Sequence, residues 1–247
     1  MIERERESSP VGSATMSPAM AHMHAYPRYL FKQVLPILGT RVWEIGIGYG
    51  GYTRMLLALE KQVLATDVDS ECIGHLRTSL GECASIQYLR VDLCDRDSVT
   101  QASAFEADSV LCFNVLEHIQ RDVSALQWIR ESVRPKATLG LIVPAHQALF
   151  GKMDSQAGHF RRYSCNSLRT AMVEAGWKVE RIQYINALGA CGWWFHNRVR
   201  KTAGLQDSHV NQQMSVMDRW LPRFARFSDP WMGRLFGLSV VAWGRCG

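Results

Sequence analysis

The chain of 247 residues has no long hydrophobic run: no stretch approaches the roughly 18 apolar residues that a membrane-spanning helix requires. Its first residues, 1–7, are charged with both signs and lack the apolar segment of a secretory signal. We therefore expect a cytoplasmic protein with no stable insertion into a membrane.

An organised set of cysteines is also lacking. The seven cysteines are scattered, odd in number and never form a C-x-x-C pair. This spacing is typical of reduced intracellular cysteines, and it predicts neither a disulfide framework nor a metal site.

Strong charge of one sign is absent as well, because the formal net charge is only +5. Basic residues gather in the last third, where they suit either an anionic partner or a solvated helix face. No RNA- or DNA-reading motif accompanies them, so we expect no nucleic-acid partner. The length fits one large domain, and a homodimer remains open.

The most informative segment present is a glycine turn, residues 46–51, which follows a short apolar run. Gly46, Gly48 and Gly50 alternate, and a helical pattern begins directly after them. Glycines let the backbone pass close to a ligand, and a helix N-terminus offers free N–H groups to it. The turn therefore predicts a nucleotide or cofactor site, although a plain strand-to-helix turn is the simpler alternative.

Strand-like and helix-like segments alternate along the rest of the chain, which predicts an α/β fold with a parallel, doubly wound sheet. The predicted strands are 41–45, 63–66, 86–91, 108–113, 138–143, 177–185 and 238–244. The predicted helices are 26–38, 51–60, 70–80, 96–103, 120–133 and 164–175. We expect a disordered tail over 1–20, one domain over 21–247 and, within it, an aromatic helical cap inserted at 187–237.

The glycines alone do not identify the ligand. Gly46, Gly48 and Gly51 also satisfy the dinucleotide fingerprint G-x-G-x-x-G, and Asp67 supplies the acid that such sites place after the second strand. Glu44, however, stands where a dinucleotide fold has an apolar residue. An oxidoreductase using a nicotinamide cofactor is therefore the less favoured alternative.

Four motifs occur in order: Glu44 with the alternating glycines, Asp67 after the second strand, Asp92 after the third and the segment 114–118 after the fourth. Together they resemble the motifs of the class I S-adenosylmethionine (SAM) dependent methyltransferases, over about residues 25–185 and the final strand. The resemblance implies SAM as cofactor and a seven-stranded sheet whose last strand is antiparallel. It assigns the glycines to the methionine moiety with Glu44 supporting their loop, Asp67 to the ribose and Asp92 to adenine. Asn114 is assigned to the methionine moiety. Asp69 and Asp95 are the rivals of Asp67 and Asp92.

The loop at 144–163 is the strongest candidate for the acceptor side of the site. It resembles a subgroup of bacterial small-molecule methyltransferases with a D-x-x-x-G-H-x-R-R-Y stretch, and it follows a strand end, where parallel sheets bind ligands. We expect His159, Tyr163 and, from the segment after the fourth strand, His118 to be catalytic, since an imidazole can act as a base near neutral pH. The alternative for the loop is a structural network in which Asp154 pairs with an arginine.

Four residues are candidates for contacts with the acceptor. Tyr184 and Asn186 end the sixth strand, and Trp193 and Trp194 open the predicted cap. The expected reaction is methyl transfer to an oxygen, nitrogen or carbon of a secondary metabolite or lipid-like molecule. An enzyme that cleaves or cyclises SAM itself, with no acceptor, is the second possibility. A nucleic-acid methyltransferase is disfavoured, because the segment at 114–117 lacks the N/D-P-P-Y/F pattern of amino methylation.

Overall fold

The computed structural model describes residues 23–81, 83–187, 218, 232–233 and 235–247. The predicted tail at 1–20 lies outside the described residues, as does most of the predicted cap at 187–237. Trp193 and Trp194 lie outside them too.

Seven strands form one mixed sheet in the order β3-β2-β1-β4-β5-β7-β6. They are β1 (Arg41–Ile45), β2 (Gln62–Asp67), β3 (Ile86–Arg90), β4 (Ser109–Phe113), β5 (Thr138–Pro144), β6 (Trp177–Ile185) and β7 (Ser239–Cys246). The first five strands are parallel, whereas β7 pairs antiparallel with both β5 and β6. The predicted fold class is confirmed.

Seven α-helices with defined bounds flank this sheet within the described residues. They are α1 (Ala25–Val34), α2 (Gly51–Leu57), α3 (Ser70–Leu80), α4 (Arg96–Thr100), α5 (Asp122–Glu131), α6 (Lys152–Gln156) and α7 (Cys165–Glu174). Over the part of the chain that the structure describes, no helix has the length and apolar character to cross a membrane.

Some predicted helix ends are wrong. The α-helix predicted over 26–38 ends at Val34 and continues as a 3₁₀ turn over Leu35–Ile37, where Pro36 has no N–H to donate to the carbonyl of the preceding helical turn. The one predicted over 96–103 passes after Thr100 into a 3₁₀ turn. The loop predicted at 145–163 contains α6, a single helical turn too short to show a hydrophobic period.

Alternating side chains of the central strands supply two hydrophobic clusters, one on each face of the sheet. Val42 packs in the cluster that includes α1, α2 and α3, whereas Trp43 packs in the cluster that includes α5 and α7. Burial on both faces explains why the central strands read as continuous apolar runs. The carboxyl ends of β1, β2, β4 and β5 meet at one edge, where the functional residues follow.

Helix α1 is capped from a distant part of the chain. The carboxylate of Asp218 accepts hydrogen bonds from the backbone N–H groups of His24, Ala25 and Tyr26, at 3.0, 3.1 and 2.7 Å. These are N–H groups that a helix start leaves without internal partners. Asp218, which belongs to the predicted cap, therefore anchors the first helix.

Candidate functional site

The glycine turn leaves β1 and bends towards β2. The N–H groups of Gly46 and Ile47 both donate to the carbonyl of Thr66, at 2.8 and 3.2 Å. Gly46, Gly48 and Gly50 have φ angles of +77°, +49° and +74°, in the region that favours glycine. A Cβ on Gly46 would also overlap the side chain of Val115, which follows β4. The turn and the segment after β4 are therefore in direct contact.

Asp67, at the end of β2, is tied to the same turn. Its carboxylate accepts from the N–H of Gly48 at 3.1 Å and from the N–H of Asp69 at 3.0 Å. Burial raises its pKa, and these two N–H groups partly offset that effect. A carboxylate has about four acceptor positions, so these two N–H groups and that of Val68 still leave a position for a ribose hydroxyl.

Glu44 lies inside the protein below the turn. It is 1% exposed, and its Oε2 accepts from the hydroxyl of Thr53 on α2 at 2.6 Å. Burial raises its pKa to about 8. Its Oε1 has no hydrogen-bond partner among the described residues. The contact with Thr53 agrees with a supporting role, because it joins β1 to the helix that follows the turn.

The remaining cofactor candidates lie at the same edge of the sheet. Asp92 is half-buried after β3, with Oδ1 accepting from the N–H of Cys94, and Asn114 is exposed after β4 with φ at +51°. The two rivals have other tasks: Asp69 caps α3 and Asp95 caps α4. Helix capping therefore gives the carboxylates of both rivals a structural role.

A second polar group lies beside this edge. Glu117 and His118 form a 3₁₀ turn after β4, and His159 follows α6. The rings of His118 and His159 meet edge to face with centroids 4.6 Å apart, and Nε2 of His159 is 4.0 Å from Oε1 of Glu117. Phe160 donates its N–H to the carbonyl of Glu117 at 2.8 Å, which ties the two segments together.

Burial shapes the protonation of this group. It raises the pKa of Glu117 to about 7, although the nearby His159 and Arg162 oppose the change. It lowers the pKa of His118 to about 4, with His159 acting in the same direction. The His118 ring is therefore neutral near pH 7 and has a nitrogen lone pair available.

Asp154 fixes the orientation of His159. Its Oδ1 lies 2.9 Å from Nδ1 of His159 and accepts from Nε of Arg162 at 2.8 Å, while Oδ2 accepts from the N–H of Gly151 at 2.9 Å. Burial opposes ionisation of Asp154, but the hydrogen bonds from His159 and Arg162 outweigh it and lower its pKa. A carboxylate at Nδ1 favours the tautomer with the proton there, which leaves a lone pair on Nε2.

Glu117, His118 and His159 also carry oxygen and nitrogen atoms of the kind that bind metal ions. One ligand atom from each of Glu117, His118 and His159 lies within 4.8 Å of the other two. The expected arginine pairing of Asp154 is with Arg162. Arg161 instead pairs with Asp122 at 2.9 Å and donates to the carbonyl of Gln120.

Tyr163 does not join this group. Its ring is 2% exposed, and its hydroxyl donates to Oδ2 of Asp122 at 2.8 Å. Burial and the neighbouring carboxylate raise its pKa far above the ordinary value. The hydroxyl is thus engaged with Asp122, and the residue holds the loop after β5 against α5, while a catalytic role for Tyr163 stays a prediction.

The two described residues predicted to contact an acceptor differ in access. Tyr184 is half-buried, and its ring stacks on His146 with centroids 4.5 Å apart, while Phe236 covers the other face of His146 at 4.9 Å. Asn186 is fully buried and donates to the hydroxyl of Tyr26 at 3.2 Å. Tyr184 therefore contacts a side chain of the loop after β5, that of His146, whereas Asn186 is enclosed in the core.

Two residues of interest were missed from the sequence as individual candidates. The sequence does not single out Glu117, because a glutamate in a short polar segment gives no sign that the folded chain leaves it only 1% exposed. His146 has φ at +61° and an Nε2 atom without a hydrogen-bond partner among the described residues. A histidine directly after a strand end was the available signal.

Comparison with known proteins identifies a domain type. Residues 43–139 match a family model described as a methyltransferase domain. Over 96 residues the chain is 31% identical to a curated protein of Methanopyrus kandleri named "Probable ribosomal RNA small subunit methyltransferase A". That match covers 36% of this chain and 34% of the relative, so the chain spans about a third of the relative's length.

Solved structures share the fold at low identity. An S-adenosylmethionine dependent methyltransferase from Mesorhizobium loti superposes with a TM-score of 0.58 at 12% identity, covering 91% of this chain and 99% of that one. A phosphoethanolamine N-methyltransferase from Haemonchus contortus, in complex with S-adenosyl-L-methionine, gives 0.55 at 14% identity over 92% and 56%. The matched range 43–139 includes the glycine turn and the segment after β4, whereas the loop after β5 lies beyond it.

Proposed function

Because the chain contains a class I methyltransferase domain, a domain type that uses S-adenosylmethionine, we propose that it methylates a small-molecule acceptor. The acceptor atom is an oxygen, nitrogen or carbon nucleophile of a secondary metabolite or lipid-like molecule. The sulfonium of SAM is already an activated methyl donor. The protein therefore has to bind it, align the acceptor and, for some acceptors, assist loss of a proton.

In this proposal the cofactor lies along the edge formed by β1, β2 and β4. Gly46, Gly48 and Gly50 approach the methionine moiety together with Asn114, Asp67 binds the ribose and Asp92 the adenine. The support is a turn that tolerates no Cβ at its first glycine and an Asp67 carboxylate with an acceptor position left over. Glu44 acts at a distance from the cofactor, by holding α2 through Thr53.

One observation carries the assignment of the acceptor side. Val115 lies against Gly46, and two residues later Glu117 begins the polar group with His118 and His159. The methyl donor and this group are therefore neighbours along one short segment. We assign activation of the acceptor to Glu117, His118 and His159 acting together, with Asp154 as a positioning residue for His159.

A small acceptor suits this arrangement better than a nucleic acid. The side chain of His159 is 16% exposed and that of Glu117 is 1% exposed, so the group is recessed. The stacked rings of Tyr184, His146 and Phe236 offer an apolar wall for a flat or lipid-like molecule. The mild net charge of +5 gives little attraction for a polyanion.

The test is a product analysis with methyl-labelled SAM. The chain is incubated with phenols, catechols, amines and fatty acids, and S-adenosylhomocysteine and labelled product are quantified, with Asp67→Ala as the matched control. We expect S-adenosylhomocysteine to form only with an acceptor. Methylthioadenosine released without any acceptor would support SAM as the substrate, and label entering ribosomal RNA but none of the small molecules would overturn the proposal.

A further inference from the structure

The group formed by Glu117, His118 and His159 contains a buried oxygen atom that has no hydrogen-bond partner among the described residues. Glu117 is 1% exposed, and its Oε2 has no hydrogen-bond partner among the described residues. A buried carboxylate oxygen without a partner is costly. The contact between Nε2 of His159 and Oε1 of Glu117 is 4.0 Å, which is too long for a hydrogen bond.

The three side chains converge on one point. Their ligand atoms all lie within 4.8 Å of one another, and the Nε2 of His159 is 4.0 Å from Oε1 of Glu117. In a tetrahedral site, ligand atoms about 2.0–2.2 Å from the ion lie about 3.3–3.6 Å from one another. The side chains therefore have to move inward by roughly 1 Å to share an ion.

The surroundings support this geometry. Histidines that bind metals typically donate their other ring N–H to a carboxylate, which fixes the tautomer and the ring orientation. Asp154 takes that place at Nδ1 of His159, and Arg162 and the N–H of Gly151 hold Asp154 in turn.

We propose that Glu117, His118 and His159 bind a divalent first-row transition-metal ion. Two imidazole nitrogens and one carboxylate oxygen suit Zn²⁺, Co²⁺ or Fe²⁺, whereas Mg²⁺ and Ca²⁺ prefer oxygen ligands alone. This departs from the expectation of no metal, which rested on cysteine spacing and could not detect ligands 41 residues apart in sequence.

Three protein ligands leave coordination positions open, and here the inference rests on the proposed function. A bound ion would make the hydroxyl of an acceptor beside it easier to deprotonate, with the proton released to solvent. That oxygen then forms the new bond to the methyl carbon, and the electrons of the broken S–C bond stay on the sulfur of S-adenosylhomocysteine. Metal binding itself does not depend on this step.

The experiment uses the full chain without a histidine tag, stripped with a chelator and then titrated with Co²⁺. Ligand-field absorption reports occupancy, and competition with Zn²⁺ gives the second affinity. The variants are Glu117→Gln and His159→Ala, and the control is His75→Ala, which removes an exposed histidine on α3.

We expect saturable binding of one ion by wild type and by His75→Ala. Each site variant should lose at least about 10- to 100-fold in affinity, since changes in surrounding residues alone cost that much. Absence of one-to-one binding in wild type, or wild-type affinity in both site variants, would overturn the inference. Wild type should also gain in Tm with Co²⁺, whereas Glu117→Gln should not, which keeps the test valid if His159→Ala fails to fold.

Failure of this inference and failure of the proposed function give different results. Acceptor-dependent S-adenosylhomocysteine from chelator-treated protein that binds no Co²⁺ would remove the metal and leave the methyltransferase proposal in place. One-to-one Co²⁺ binding with no methylated product from any acceptor would do the reverse.

Discussion

The Nδ1 atom of His159 lies 2.9 Å from the same oxygen of Asp154 that accepts a hydrogen bond from Arg162. One carboxylate thus holds a candidate functional side chain and a buried arginine together. The side chains of Asp154 and Arg162 are 1% and 3% exposed, so this ion pair is shielded from water. The pair joins α6 to the end of the loop after β5, and the same carboxylate contacts His159.

The buried pair makes Arg162 important for stability. Arg162→Met leaves Asp154 with one partner fewer, and breaking a buried pair costs about 3–5 kcal/mol. Arg96→Met breaks the exposed pair with Glu131, which is worth about 0.2–1 kcal/mol. Urea unfolding of both variants checks the difference. Similar losses in the two variants would mean that the Asp154 pair is not the main support of the loop.

His159 should affect catalysis without affecting the cofactor. Activation of an acceptor by proton removal is worth about 10²–10⁴-fold in rate. We expect His159→Gln to lower kcat by this amount while SAM affinity, measured by calorimetry, stays at the wild-type value. His75→Gln is the matched control and should keep full activity. A His159→Gln variant with wild-type kcat would remove His159 from the proposed acceptor side.

Asp67 should determine SAM affinity. A hydrogen bond to a charged group contributes roughly 1.5–3 kcal/mol, so Asp67→Ala should weaken SAM binding about 10- to 150-fold. Asp69→Ala instead removes the cap of α3 and should cost about 0.5–2 kcal/mol of stability with no loss of SAM affinity. Calorimetry and urea unfolding on both variants separate the two roles. Equal SAM affinity in wild type and Asp67→Ala would sink the assignment.

The fold could be predicted from the sequence because its signals are local and strong. Every predicted strand is present, since short apolar runs separated by turns and helical stretches leave few alternatives. The short helix α6 was missed for the opposite reason: one turn of helix has no measurable period. Its position is fixed by Asp154, whose carboxylate accepts from the N–H of Gly151.

The site was only partly predictable. The glycine turn and Asp67 follow strand ends, so topology alone brings them to one edge. The grouping of Glu117 with His159 depends on how a loop folds back, and this is set by contacts such as that of Phe160 with the carbonyl of Glu117. The hydrogen bond from Tyr163 to Asp122 could not be predicted from the sequence either, because the two residues lie 41 positions apart.

Glu44 should make stability fall as pH rises. Burial raises its pKa from 4.5 to about 8, so the folded chain keeps a proton that the unfolded chain releases near pH 4.5. The stability that this proton contributes is complete below pH 4.5 and is lost as pH rises to about 8. Urea unfolding of wild type and Glu44→Gln across this range checks it. The difference between the two should shift steadily in favour of Glu44→Gln, and parallel pH profiles would contradict the raised pKa.

The two interpretations of the glycine turn agree on Gly46 and make opposite predictions for Gly51. Gly46 has φ at +77°, so Gly46→Ala should cost about 1–2 kcal/mol from conformation, more from overlap with Val115, and should abolish tight SAM binding. A Val115→Ala change in the same chain should restore part of the stability, because the overlapping methyl group is gone.

Gly51 is the informative control, because a Cβ there meets nothing within 4 Å and its φ is not positive. Gly51→Ala should therefore fold at least as well as wild type and bind SAM unchanged, since the SAM assignment uses Gly46, Gly48 and Gly50. A dinucleotide site would instead need Gly51 as the last glycine of its fingerprint, for close packing of the helix on the strand. Calorimetry with SAM and with NAD(H) on both variants decides between them. Loss of binding in Gly51→Ala, together with measurable NAD(H) affinity in wild type, would overturn the assignment of this turn.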